Sequence, residues 1–278
     1  MTKLYEKLGV SFDQFKRYRE TRNPEDIETA ISCIQAALEV TSTMTPEQHP
    51  ERANHLTASA ACFGCRYEAT GRTEDLKRAI TEVRGALGII PQDHPNRTAF
   101  LNVVGTDLVT YSESASIAET DKPALLQESL TAFLTGWDCT NAPVMDQISS
   151  ASDAAKLLIY QMPLSSAGLS QAYSLLEAAV HLSTLASPRS LDRDDQQHRL
   201  QDLAGLPALT AAVCLEIRHP PVQALKLLEM ARCITNGQLL DYRSDISVLS
   251  EKLPSLAQTF NLLCLELDSP LPYPNFMI

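Results

Sequence analysis

Two aspartates lie inside stretches of sequence that are otherwise apolar enough to form buried helices. Asp107 lies in LNVVGTDLVTYSES, four residues before Tyr111, and Asp153 lies in SSASDAAKLLIY. A carboxylate in such surroundings is either paired or has a raised pKa, and both states suit general acid or base catalysis. If the chain is an enzyme, we expect Asp107 and Asp153 to be its catalytic residues. The alternative is that these acids bond neighbouring helix ends or face water.

Aromatic, acidic and imidazole side chains extend this set into a candidate binding surface, which consists of Tyr67, Tyr111, Trp137, Asp138, Tyr160 and His181. His181 follows Glu177 by four residues, so both lie on one helix face, which suits a hydrogen-bonded pair or half of a metal site. The sequence has no HExxH motif, so we expect no metal. The alternative for the aromatic residues is an ordinary place in the core.

Cys62 and Cys65 form a CxxC motif well inside a predicted helix. A redox-active pair lies at a helix amino terminus, where the helix dipole stabilises the thiolate, so we expect both residues to be structural. The chain has seven cysteines at irregular spacing. That pattern indicates free thiols in a reducing compartment, and we expect a cytoplasmic protein without a cofactor.

Charge and hydropathy exclude several classes of partner. The formal charge of −11 would repel a phosphate backbone, and no stripe of lysine and arginine interleaves with aromatic residues. The first twenty residues, MTKLYEKLGVSFDQFKRYRE, carry charges throughout and contain no apolar core of a signal peptide. No apolar stretch approaches the length of a membrane span. We therefore expect neither nucleic acid nor a membrane as a partner.

An internal repeat indicates the architecture that positions these residues. EDIETAISCIQAAL at Glu25–Leu38 recurs as EDLKRAITEVRGAL at Glu74–Leu87, and a His-Pro step follows each copy. We interpret each copy and the helix after its His-Pro step as one hairpin. Such a hairpin cannot bury its apolar stripe alone and is stable when stacked on its neighbours. A third unit repeats the pattern at Leu126, Leu130, Phe133 and Trp137.

We expect one domain over residues 1–278. Residues 1–23 form an amino-terminal cap with Ser11 capping a short helix, residues 24–219 form the hairpins, residues 220–268 form carboxy-terminal helices, and residues 269–278 form an extended tail. The helix after Pro95 should reach about Ala118. The helix after Pro143 should end before Pro163, where QMPLSSAG interrupts the repeat.

The segments HPERANHLTASAACFGCRYEATGRTEDLKRAI and QDHPNRTAFLNVVGTDLVTYSES resemble the tetratricopeptide-like repeats of fungal proteins that carry a CHAT protease-like domain. The stretch ALKLLEMARCITNGQLLDYRSDISVLSEKLPSLAQTFNLLCLELDSP resembles the segment that precedes the CHAT domain in that family. The resemblance implies an all-α fold, a right-handed α-solenoid of antiparallel helical hairpins with degenerate carboxy-terminal repeats. The chain ends where the CHAT domain would begin, so we expect no protease-like chemistry.

Two functions from different classes fit these observations. The first is a helical-repeat scaffold that binds a peptide or protein partner in its groove. The alternative is a small metal-free enzyme or binder of a hydrophobic small molecule in fungal specialised metabolism, with carboxylic acid catalysis of a cyclisation or isomerisation. An open polar groove favours the first, and an enclosed apolar cavity with a buried aspartate favours the second.

Overall fold

A computed structural model describes residues 2–41, 51–183, 203, 205–230 and 247–267. These residues are mostly helical, and none of them lies in a strand. In chain order the helices are α1 Thr2–Thr21, α2 Pro24–Thr41, α3 Arg52–Thr70, α4 Thr73–Ile89, α5 Arg97–Glu113, α6 Lys122–Trp137, α7 Val144–Lys156, α8 Ser166–Ser183, α9 Leu206–Glu216, α10 at 221–230, α11 Ser247–Lys252 and α12 Pro254–Leu267. The chain divides into two compact units, Met1–Leu227 and Leu228–Ile278. The predicted tail at 269–278 lies outside the described residues.

Two short turns with the same backbone geometry reverse the chain between α1 and α2 and between α3 and α4. Arg22 and Gly71, which are 49 residues apart, have positive φ angles of 57° and 69°. The N–H groups of Arg22 and Gly71 donate to the carbonyls of Tyr18 and Tyr67, each at 2.7 Å. Such a left-handed residue ends a helix and satisfies a free carbonyl of its last turn. Each turn therefore forces the next helix to run antiparallel.

Equivalent apolar positions of the repeat lie in the same core. Ile31 and Ile80 are both buried, and both belong to the main hydrophobic cluster of the first unit. Leu130 and Phe133 of the third copy are buried as well, while Leu126 and Trp137 are half-buried. The helical periodicity that predicted these stripes is therefore confirmed.

Packing between successive helices gives the first unit its solenoid form. Each of the helices α1 to α8 packs against its neighbours in the chain, and α5 also contacts α7. Within this range the structure does not describe residues 42–50. The predicted all-α fold and α-solenoid are confirmed. The predicted partners α2 and α3, α4 and α5, and α6 and α7 pack together, and the contacts of α1 with α2, α3 with α4, α5 with α6 and α7 with α8 are more extensive.

The His-Pro steps mark an arginine that caps the preceding helix. Arg52 donates through Nη1 to the carbonyl of Leu38 at 2.9 Å, and Arg97 donates to the carbonyl of Leu87 at 3.3 Å. A guanidinium at this place satisfies a free carbonyl in the last turn of the preceding helix and complements the dipole of that helix. His94 accepts the N–H of Asn96 through Nδ1 at 3.1 Å. His94 is thus a turn residue, and His49 lies outside the described residues.

The contact between α5 and α6 requires a glycine. A Cβ atom on Gly105 would lie 2.6 Å from Cε1 of Phe133, closer than carbon atoms approach. The hydroxyl of Ser129 donates to the carbonyl of Gly105 at 2.8 Å. The missing side chain lets the Phe133 ring and the backbone of α5 come together, which fixes the orientation of the rest of α5.

Two sequence predictions about helix ends are wrong. Ser11 lies inside α1, which begins at Thr2, and so does not cap a helix. Its hydroxyl instead donates to the carbonyl of Ala30 on α2 at 2.9 Å and links the two helices. Helix α5 ends at Glu113, short of the predicted Ala118. The Ser114 hydroxyl donates to the carbonyl of Tyr111 at 2.8 Å, and such side-chain bonds compete with continuation of a helix.

Candidate functional site

The regular repeat is interrupted at the end of α7 by one turn of π-helix at Leu157–Gln161. The N–H of Met162 donates to the carbonyl of Leu157 at 3.0 Å, one residue further back than in an α-helix. Pro163 follows and has no N–H to continue the ladder. Single π-helical turns are rare and occur frequently at functional sites.

The π-helical turn and the segment after it carry large apolar side chains at the surface. Tyr160 is 67% exposed and Leu164, four residues later, is 65% exposed. Between these two residues the chain passes through Gln161, Met162 and Pro163, which line a cleft. We call Tyr160, Leu164 and this cleft the π-turn surface.

The cleft is half open and has a volume of about 420 Å³, near the lower end of the range for ligand sites. Its walls come from the end of α5, the loop after it, the start of α6 and the π-helical turn. The lining residues are Ser112, Glu113, Glu119, Lys122, Pro123, Leu126, Gln161, Met162 and Pro163. The cleft therefore combines apolar walls with a rim of charged and amide groups.

Two polar contacts order the rim. Gln161 donates through Nε2 to Oε1 of Glu113 at 2.8 Å, which ties the π-helical turn to the end of α5. Lys122 forms an ion pair with Glu119, three residues before it. Among the described residues no group bonds the second oxygen of Glu113, Oε2. That oxygen is available to accept a donor from a ligand.

Asp107 is half-buried on α5, one turn from Val103 and one turn from Tyr111, and both of these side chains pack against the main core. Burial raises the pKa of Asp107 to about 7. Within the described part of the chain its carboxylate has no hydrogen bond and no ion pair. The sequence predicted that the Asp107 carboxyl is either paired or has a raised pKa, and its surroundings in the structure favour the raised pKa. Asp107 can therefore gain or lose a proton near neutral pH.

Asp153 lies on α7 in a different environment. Its Oδ1 accepts a hydrogen bond from Lys156 Nζ at 2.9 Å, so it forms a partly exposed ion pair within one helix turn. The cleft of the π-turn surface contains neither Asp107 nor Asp153. The predicted catalytic residues thus occupy different surroundings from each other and from the cleft.

The other candidate residues are distributed along the solenoid. Tyr111 packs against the main core, with Lys77 Nζ 6.0 Å from its ring centre. Asp138 is exposed at the end of α6, where its N–H donates to the carbonyl of Leu134 at 3.1 Å. Tyr160 is part of the π-turn surface. The remaining candidates are half-buried or exposed: Tyr67, Trp137 and His181.

A partly buried polar network, of which the sequence singled out only Glu177, lies at the end of the first unit. The Tyr173 hydroxyl donates to Glu177 Oε1 at 2.6 Å, and Gln223 Nε2 donates to the Tyr173 oxygen at 2.7 Å and to Glu177 Oε1 at 3.0 Å. The His219 ring meets that of Tyr173 edge-on at 4.8 Å, and its buried Nδ1 has no partner among the described residues. Burial, followed by the contact with Glu177, raises the pKa of Tyr173.

Glu177 therefore accepts hydrogen bonds from Tyr173 on its own helix and from the side-chain amide of Gln223 on α10. The described residues contain no group of three side chains that could hold a metal ion. The sequence signal for this network was weak, because Gln223 lies 46 residues beyond Glu177 and no local spacing relates the two.

The cysteines agree with the structural interpretation of the CxxC motif. Burial raises the pKa of Cys62 to about 12 and also raises the pKa of Cys65. A raised thiol pKa lowers the thiolate fraction and with it the reactivity. In the described ranges Cys33, Cys62, Cys65, Cys139 and Cys214 are free thiols.

Comparisons with known proteins give a structural likeness and no sequence match. No family model and no curated protein matches the chain. The chain is similar to the crystal structure of a Podospora anserina putative kinesin light chain with nearly identical TPR-like repeats. The two share 14% identity and a TM-score of 0.47, over 84% of this chain and 94% of that one. No helix of the described residues has the length and apolar character that a membrane span requires.

Proposed function

We propose that this chain is a non-catalytic α-solenoid scaffold that binds an extended segment of a partner protein at the π-turn surface. The observation that carries the proposal is the π-helical turn Leu157–Gln161, which leaves Tyr160 67% exposed beside a half-open cleft. Solenoids use their extended surfaces for partner binding, and their stacked repeats supply a rigid support.

The chemistry of the surface supports this proposal. Tyrosine is enriched among the residues that dominate binding energy at protein interfaces, because it offers a large apolar area with a polar tip. Tyr160 and Leu164 lie on either side of the cleft-lining residues in the chain, and the cleft offers a pocket for a partner side chain. The polar rim supplies groups that orient such a partner.

Quantitative affinity purification of the tagged full chain from its native cell extract tests the proposal. A Tyr160→Ala/Leu164→Ala double variant should lose a partner that wild type retains. Val40→Ala, at an exposed apolar residue on α2, is the matched control and should retain it. Binding of the purified pair should then weaken at least tenfold in the double variant. Equal recovery and equal affinity for all three chains would contradict the proposal.

We also propose a cytoplasmic location and a relation to the repeats of fungal CHAT-domain proteins. The free thiols of the described cysteines are in keeping with a reducing compartment. The repeated segments at Glu25–Leu38 and Glu74–Leu87 support the relation, since both fold as stacked helices. Fractionation of the native cell, followed by detection of the chain in the organelle-free fraction, tests the location.

One observation favours the second candidate function, a metal-free enzyme or binder of a hydrophobic small molecule. Asp107 is half-buried, has no partner in the described chain, and has a pKa of about 7. Such a carboxyl group is suited to general acid or base catalysis. Mass spectrometry of the purified chain should then detect a retained ligand, and Asp107→Asn or Asp153→Asn should abolish its turnover. Full turnover in both variants would contradict these assignments.

A further inference from the structure

The rim of the cleft has an unequal charge balance. Glu113, Glu119 and Lys122 contribute two negative charges and one positive charge. Glu119 already neutralises Lys122 in an ion pair. Glu113 meets only the neutral amide of Gln161, and its Oε2 has no partner among the described residues. The uncompensated charge of the rim is therefore that of Glu113.

We propose that the partner segment carries an arginine flanked by apolar residues, and that its guanidinium bonds Glu113 while its neighbours cover Pro123, Leu126 and Met162. This inference rests on the proposed function and adds the chemistry of the partner. The site is the described cleft, and the ligand class is an extended peptide with one positive charge.

Charge complementarity selects a cation at this rim. An incoming carboxylate would meet two glutamates and a lysine whose charge is already paired, so it would be repelled. An incoming guanidinium can donate two parallel hydrogen bonds to a carboxylate, a geometry that a lysine ammonium does not offer. The net charge of −11 adds a long-range attraction for basic segments.

The dimensions of the cleft select an extended segment. An α-helix with its side chains is about 10–12 Å wide. A half-open cleft of about 420 Å³ accepts individual side chains of a partner and is too small for a whole helix. An extended peptide projects alternate side chains to one side, so it can place an arginine at Glu113 and an apolar side chain over Met162.

Methyl spectra of the full chain labelled with ¹³C-methyl methionine test this inference. Met162 lines the cleft, and Met145, near the start of α7, is an internal control outside it. The probes are three synthetic peptides, acetyl-Leu-Arg-Leu-Pro-amide and its analogues with citrulline or glutamate in place of arginine. Citrulline keeps the shape of arginine without its charge.

We expect the arginine peptide to shift the Met162 methyl signal saturably and to leave the Met145 signal unchanged. Its affinity should exceed that of the citrulline peptide about two- to fivefold, as an ion pair at the exposed Glu113 provides. Glu113→Gln should remove this preference. Glu128→Gln, at an exposed glutamate on α6 outside the cleft, should preserve it.

Each other outcome contradicts a specific statement. Equal binding of the arginine, citrulline and glutamate peptides at Met162 would overturn the charge preference and leave the proposed function standing. A preference that survives in Glu113→Gln would overturn the role of Glu113. No saturable shift of Met162 with any of the three peptides would count against both the inference and the binding site of the proposed function.

Discussion

The turns between α1 and α2 and between α3 and α4 differ from the connection between α7 and α8 in what their side chains do. At each of the two turns an arginine of one helix forms an ion pair with an aspartate of the next. The pair Arg17–Asp26 recurs 49 residues later as Arg66–Asp75. In the α7–α8 connection Tyr160, within the π-helical turn, and Leu164, after it, are exposed. Repeated contacts hold the solenoid together, and the break in the repeat leaves large apolar side chains exposed.

The two repeated turns also differ from each other in strength. Arg66 is 15% exposed and donates to both oxygens of Asp75, at 2.9 and 2.6 Å, and to Glu28 at 2.7 Å. Arg17 is 63% exposed and lies 3.4 Å from Asp26. The guanidinium of Arg66 also lies 5.2 Å from the ring centre of the buried Phe63. We therefore expect the second turn to contribute more to stability than the first.

The largest expected effect is at the equivalent core positions of the repeat. Ile31→Ala and Ile80→Ala should each lower the free energy of unfolding by about 2–5 kcal/mol, because each leaves a cavity in a packed core. Urea denaturation of the two variants measures this loss. Val40→Ala, at an exposed residue of the same helix as Ile31, should change stability by less than about 0.5 kcal/mol. A near-zero loss at both isoleucines would contradict their equivalence.

The apolar stripes were predictable because a helix repeats its buried positions every three or four residues, and both copies show that spacing. The turn at Gly71 was predictable from glycine itself. The equivalent turn at Arg22 was not, because an arginine does not indicate a positive φ angle. The signal was present in the spacing: Arg17 precedes Asp26 by the same nine residues that separate Arg66 from Asp75.

Loss of the arginine at the stronger turn should have the next largest effect. Arg66→Gln leaves the carboxylate of Asp75 buried without a positive partner and should cost about 2–3 kcal/mol, less than a fully buried pair because Glu28 is solvated. Arg17→Gln, the matched change at the pair whose arginine is exposed and whose aspartate also accepts the Thr21 hydroxyl, should cost about 0–1 kcal/mol. Denaturant melts compare the two. Equal losses would show that burial does not distinguish these turns.

Asp107 should have a smaller effect that depends on pH. Burial raises its pKa to about 7, above the value of about 3.9 in an unfolded chain. Between these values the folded state binds more protons, so the contribution of Asp107 to stability is fully present below about pH 4 and is lost as the pH rises through 7. Asp107→Asn should therefore stabilise the chain at pH 8 by about 1–3 kcal/mol and change it little at pH 4.

Paired melts of wild type and Asp107→Asn at pH 4 and pH 8 measure this difference. Other carboxyl groups with raised pKa, such as Glu82, contribute to both chains and cancel in the comparison. Asp153→Asn is the control, since the carboxylate of Asp153 is already paired with Lys156. A variant that is less stable than wild type at pH 8 would mean that the ionised Asp107 has a stabilising partner.

The two parts of the candidate site were predictable to different degrees. Asp107 stood out because a carboxylate among apolar residues is costly wherever its helix packs. The cleft was not predictable, because a π-helical turn arises from a shift of one residue in the backbone hydrogen bonds and has no distinctive composition. The available signal was the irregular segment QMPLSSAG, whose Gln161, Met162 and Pro163 line the cleft.

The smallest expected effect on stability lies at the π-turn surface, where binding should instead be most sensitive. Tyr160 is 67% exposed, so Tyr160→Ala removes little buried area and should change the free energy of unfolding by less than about 0.5 kcal/mol. The same change should weaken partner binding by about 2 kcal/mol or more if Tyr160 is an interface hot spot. Urea melts and titration with the partner purified by affinity measure the two quantities. A large loss of stability with unchanged affinity would show that Tyr160 supports the fold, and that the break in the repeat does not serve binding.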